Sequence, residues 1–123
     1  GFYCTNFEKQ AKRCALTKKN NHIVNVFTYS ENLDLNCKAF EKMSDEWLDF
    51  VVSSRRGITH TYDIVEGPMA DDTIWNYVDD FARGLISRTA FWELVKFKYP
   101  THKIVFCTEE ALKCLFYQRS YSL

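Results

Sequence analysis

Glycine and proline are scarce, four and two residues in 123. So few breakers leave no flexible linker, no Gly-rich phosphate loop and no marked domain boundary. Residues 1–123 therefore read as one domain, long enough to bury roughly two thirds of the surface of the unfolded chain. Net charge is also missing, with sixteen basic residues against sixteen acidic ones, which argues against a dedicated nucleic-acid partner. No apolar run approaches the roughly 18 residues of a membrane span, and no secretory signal opens the chain, so no membrane partner and a cytoplasmic location are expected. The five cysteines, Cys4, Cys14, Cys37, Cys107 and Cys114, include no C-x-x-C and do not interleave with the three histidines at zinc spacing. Neither a disulfide framework nor a structural metal is expected; reduced, mostly buried thiols are. G-x-S-x-G, H-E-x-x-H and the P-loop are all absent, which removes the commonest hydrolase, zincin and nucleoside-triphosphatase readings.

What the chain does have is aromatic side chains, 16% of residues, and these favour a fold containing strands. Thr5 and Glu8 stand at capping-box spacing before a helical run with Phe7, Ala11, Cys14 and Ala15 on one side, ended by Asn20 and Asn21. Residues 22–30 (HIVNVFTYS) read as a strand, and a second short one over 33–40 alternates Leu35, Cys37 and Ala39 on one face. Ser44 caps a helix carrying Trp47, Leu48, Val51 and Val52, and Gly57 stops it. Residues 59–66 (THTYDIVE) predict a strand halted by Gly67-Pro68. A helix over 71–84 points Ile74, Tyr77, Val78 and Phe81 inward. Ser87 caps the next, through Phe91, Leu94 and Val95. Lys103–Cys107 is a strand, Thr108 caps a short helix, and the tail from Phe116 adds a last strand. Strands and helices mix without βαβ alternation, so the fold class is α+β.

Few residues advertise chemistry by themselves. Cys4 or Cys107 with His60 or His102 could make a nucleophile pair, but no spacing ties them together. Asp71 and Asp72 precede a helix, where carboxylates offset its dipole; a place in a binding site is the other reading. Charge is segregated: residues 1–21 carry five Lys/Arg and one acid, and residues 63–80 carry six acids and no base. That pattern fits a solvated face or a polar cleft.

Two segments are more specific. Gly1-Phe2-Tyr3-Cys4-Thr5, followed by the helix from Glu8, resembles the G-x-Y-x-[TS] strand and helix of ADP-ribosyltransferases of the poly-ADP-ribose polymerase and diphtheria-toxin type. Tyr62 to Asp72 (YDIVEGPMADD), with Glu46-Trp47-Leu48-Asp49-Phe50 before it and Phe106-x-Thr108-Glu109-x-Ala111-Leu112 after it, is similar to a bacterial family of small ADP-ribosyltransferase-like domains. The resemblance spans nearly the whole chain. It implies an ADP-ribosyltransferase split sheet, two small packed antiparallel sheets with peripheral helices, here N-terminally truncated because the chain opens at Gly1 inside an aromatic run. It implies NAD as substrate, with Gly1, Phe2, Tyr3 and Thr5 as the nucleotide-binding segment and Tyr3 as the aromatic that stacks on nicotinamide.

The same resemblance places Lys103, flanked by His102, where the family carries Glu or Gln. A carboxylate there stabilises the cationic ribose of the transition state, and a lysine opposes it. Glu109 and Glu110 do not substitute, since at ~3.3 Å per residue Glu109 lies about 20 Å along the chain from Lys103. The expected function is NAD binding with ADP-ribosyl transfer to a protein acceptor or NAD hydrolysis, weak or lost in this form. The alternative is a non-catalytic protein-interaction module or pseudoenzyme, paired with a small operon-encoded partner protein.

Overall fold

The computed structural model describes residues 1–70 and 72–123. Along the chain run β1 (Phe2–Cys4), α1 (Glu8–Leu16), β2 (Ile23–Tyr29), β3 (Cys37–Ala39), α2 (Asp45–Arg55) and β4 (Ile64–Met69). After these come α3 (Asp72–Ala82), α4 (Arg88–Val95), β5 (Thr101–Phe106), α5 (Glu109–Leu112) and β6 (Leu115–Ser122). Four strands make one sheet in the order β1-β5-β4-β3, and β2 pairs with β6 in another. The class is α+β with a split sheet. The larger sheet is mixed instead of antiparallel, because β3 runs parallel to β4 with Cys37 opposite Ile64 and Ala39 opposite Glu66. A parallel neighbour cannot be reached through a hairpin, and α2 lies between the two strands in the chain.

Two compact units divide the chain, one of Gly1–Ala39, Tyr62–Glu66 and His102–Leu123, the other of Phe40–Thr61 and Gly67–Thr101. In the first, Ile64, Phe106 and Ala111 are buried together, with Cys4, Leu35, Ile104 and Leu115 packed on them. Edge-to-face rings join the two sheets across this core: Phe2 on Phe27 at 5.7 Å and Tyr29 on Phe106 at 6.0 Å. The β2–β6 ladder runs antiparallel from Ile23 opposite Ser122 to Tyr29 opposite Leu115, with an irregularity between Val26 and Phe27.

Two expectations fail in this unit. The predicted Thr5–Glu8 capping box does not form: Phe7 is the N-cap of α1 and carries no side-chain cap, so Glu8 opens the helix instead of closing its first turn. The expected 33–40 strand shrinks to the three residues Cys37–Ala39, of which Cys37 and Ala39 are exposed and Lys38 is half-buried. β3 pairs with β4 alone, at the sheet edge, and only Leu35 of the predicted apolar face reaches the core.

In the second unit the caps follow the sequence. Ser44 Oγ accepts the Trp47 N–H at 3.2 Å, and Ser87 Oγ accepts the Ala90 N–H at 3.0 Å. Gly57, at φ +78°, ends α2 in the left-handed conformation, with Ile58 N–H bonded back to the Ser53 carbonyl. Trp47, Leu48, Ile74, Val78, Phe91 and Val95 are the fully buried side chains. Leu94, expected inside with Phe91 and Val95, is instead 43% exposed. The predicted 59–66 strand is shifted: β4 begins at Ile64 and runs through Gly67-Pro68 to Met69. Pro68 is tolerated because β3 stops opposite Glu66, and the Pro68 carbonyl accepts the Trp47 indole N–H at 2.9 Å. A strand residue turns its nitrogen and carbonyl to the same side, so the missing donor faces Trp47 and no ladder bond is lost. Gly67 is needed for close approach, since a Cβ there would lie 2.9 Å from the Phe40 carbonyl oxygen.

Candidate functional site

The first and fifth strands are separated by about a hundred residues in the chain but are direct neighbours in the sheet. β1 pairs antiparallel with β5, Phe2 opposite Phe106, Tyr3 opposite Val105 and Cys4 opposite Ile104. Cross-strand partners share a face and side chains alternate along each strand, so Gly1, Tyr3, Lys103 and Val105 belong to one face and Phe2, His102 and Phe106 to the other. On the first face the Lys103 ammonium sits 5.1 Å from the centre of the Tyr3 ring, within cation–π range. Tyr3 is 60% exposed, whereas Lys103 is half-buried, and that burial pushes its pKa below the usual lysine value. Among the described residues no carboxylate pairs with Lys103. Gly1 packs against its neighbour strand: a Cβ would meet Val105 Cγ1 at 2.7 Å.

On the opposite face Phe2 is committed to the inter-sheet contact with Phe27, and His102 heads a separate polar cluster. Thr5 Oγ1 accepts the Phe7 N–H at 3.2 Å and lies 3.3 Å from His102 Nδ1. The arrangement that satisfies these groups has Thr5 donating its proton to Nδ1, which leaves the ring proton on Nε2, toward Glu66 Oε1 at 3.7 Å. The Phe7 ring meets the imidazole edge-to-face at 5.0 Å. His102 and Lys103, adjacent in sequence, therefore serve different faces, and the expected site divides into Gly1, Tyr3 and Lys103 on one side and Thr5 and His102 on the other.

Gln10 and Glu66 join this region without having been singled out by the sequence. Register continued past Cys4–Ile104 would set Asn6 opposite His102, but the chain has already turned toward α1. The Gln10 side chain takes the vacant place. Its Oε1 accepts the His102 N–H at 2.8 Å and its Nε2 donates to the His102 carbonyl. A side-chain amide thus imitates one more strand residue. Only its position on the inward turn of α1, one turn from Phe7, could have hinted at this.

The remaining candidates lie elsewhere. Burial raises the pKa of both the Cys4 and Cys107 thiols, and both His102 ring nitrogens face oxygen, so neither thiol forms the imagined pair with His102. His60 packs on Phe50 at 5.2 Å. Thr108 caps α5 through the Ala111 N–H at 3.2 Å, with Glu109 and Glu110 in its first turn. Asp71 lies outside the described residues; Asp72 opens α3. No group of three or more His, Cys, Asp or Glu that could hold a metal ion occurs among the described residues. No helix among them is long and apolar enough to cross a membrane.

No curated protein and no solved structure matches the chain. The model of one family, described as protein of unknown function (DUF3990), matches residues 1–117, and the chain belongs to that family.

Proposed function

We propose that this chain is an ADP-ribosyltransferase-like domain that binds an NAD-type dinucleotide at the face of Tyr3 and Lys103, with little or no transfer activity. The observation that carries the reading is the pairing of β1 with β5. It sets the aromatic of the Gly1-Phe2-Tyr3-Cys4-Thr5 segment beside Lys103, the two positions that the resemblance requires together. An exposed ring on an edge strand offers a stacking surface, worth about 1–3 kcal/mol for a base-like ring. Transfer needs charge stabilisation of opposite sign at the ribose, and the ammonium of Lys103 supplies the wrong sign.

Calorimetric titration with NAD tests the binding. Tyr3→Ala is expected to weaken it ~10-fold or more, as the loss of one stacking contact implies, while the melting temperature stays near that of the parent chain. An unchanged dissociation constant in that variant removes Tyr3 from the site. Labelled NAD should release no nicotinamide above the buffer rate; steady release would mean an enzyme.

A second reading, a protein-interaction module, is favoured by a different surface. Phe97 and Tyr99, just after α4, are 79% and 85% exposed, and Leu94 joins them on the same stretch. Exposed apolar clusters of this kind mark contact sites. A complex that survives gel filtration and is lost in a Phe97→Ser, Tyr99→Ser variant, with no response to NAD, would favour it over the nucleotide reading.

A further inference from the structure

We propose that Lys103 is a specificity-determining residue that turns the site away from a cationic nicotinamide ring and toward dinucleotides whose ring carries no charge. The proposal deepens the nucleotide reading above, since it requires the dinucleotide ring to seat on Tyr3. The Lys103 ammonium already lies 5.1 Å from the Tyr3 ring centre. A planar ligand ring stacking on Tyr3 has two choices. On the face that Lys103 covers, it must displace the ammonium; on the other, it faces the ammonium across the ring.

For oxidised nicotinamide both choices set like charges close together. The aromatic face that would attract a cation is also already engaged by one. For reduced nicotinamide, which is neutral, neither penalty exists, and the phosphates of either ligand meet the same positive charge. Two features keep the penalty from being neutralised. Lys103 is half-buried, so its charge is screened less than that of a free surface lysine. No carboxylate among the described residues pairs with it. Specificity then arises from a repulsive element built against one ligand as much as from attraction to the other.

NAD+ and NADH share every group except the redox state of the ring, so they isolate ring charge. The test is calorimetry of the full chain with each, at one ionic strength, repeated for Lys103→Gln, Lys103→Met and Lys103→Arg. NADH is expected to bind about fivefold or more tighter than NAD+, a ratio set by two charges several ångströms apart near a protein surface. Lys103→Gln and Lys103→Met should bring the ratio to within about twofold, and Lys103→Arg should keep it, because only the last retains the charge. Should one neutral variant fold poorly, the other carries the comparison. Equal or tighter binding of NAD+ by the parent chain overturns the proposal, as does a preference that survives in the neutral variants. Binding without preference removes the role of Lys103 but leaves the nucleotide reading standing. If neither dinucleotide binds, both fall.

Discussion

Tyr3 and Phe91 are both aromatic, yet removing them should have opposite consequences. Phe91 is wholly buried, with Phe81 at 6.1 Å and Trp92 at 5.0 Å. Phe91→Ala leaves a void beside Phe81 and Trp92 that the helices cannot fully close, and is expected to cost about 3–5 kcal/mol in urea unfolding. Tyr3 is mostly exposed, so Tyr3→Ala should cost under ~1 kcal/mol, close to other surface substitutions. A Tyr3 loss as large as that of Phe91 would reassign the ring from ligand contact to packing. The sequence is borne out for Phe91, which is buried as its place in the helix suggests. Phe91 lay on a helical apolar stripe, and Tyr3 was singled out through a motif. What it could not see was which way Lys103 and His102 face. Adjacent strand residues point to opposite sides, but that matters only once the strand and its partner are known.

Elements were legible where a local signal decides them. Ser44, Ser87 and Thr108 each cap the helix that their spacing announced, because an N-cap bond needs nothing beyond the next three residues. They were illegible where a distant segment decides. Thr5 abandons its capping role because His102, ninety-seven residues away, offers it a partner, and β4 continues through Pro68 because its neighbour β3 has already ended. The clearest case is Gln10, whose amide joins α1 to β5 in place of a strand residue. Gln10→Ala leaves the His102 N–H and carbonyl without these partners, at about 1–3 kcal/mol if they stay dry. Amide exchange should show it: His102 loses protection relative to Ile104 while the β2–β6 ladder is unchanged. Gln10→Glu keeps the acceptor for the His102 N–H but not the donor, and should fall between the two. Equal His102 protection in all three proteins would show that the helix is held to the strand by other contacts.

At the scale of the whole chain, charges cancel at pH 7, and acid upsets that balance as the carboxylates take up protons, most expensively where the fold holds a carboxylate in its charged form. Asp63 is the one to watch. It stands just before β4, and its Oδ2 accepts the Asn36 N–H at 2.9 Å while its Oδ1 accepts the Thr108 hydroxyl at 2.7 Å. Its own carbonyl accepts the Cys107 N–H at 2.7 Å. One residue thus ties together the approaches to β3 and β4 and the start of α5, segments 27 and 45 residues away in sequence. The Asn36 amide, and after it the Thr108 hydroxyl, hold the Asp63 carboxyl below its ordinary value of 3.8. A carboxylate with a depressed folded-state pKa contributes stability that is fully present above its unfolded-state value and is lost as pH falls through the folded one. Unfolding free energy should therefore decline below about pH 4 with a slope that Asp63→Asn lessens, since the asparagine cannot take up the proton. At neutral pH the variant should be the less stable of the two, because an amide has one acceptor oxygen where the carboxylate uses two, and the bond it keeps is weaker. Measuring urea midpoints of both proteins from neutral to acid pH decides it. Parallel curves would mean that another carboxylate governs the acid limb and that the Asp63 bonds form equally well when it is protonated.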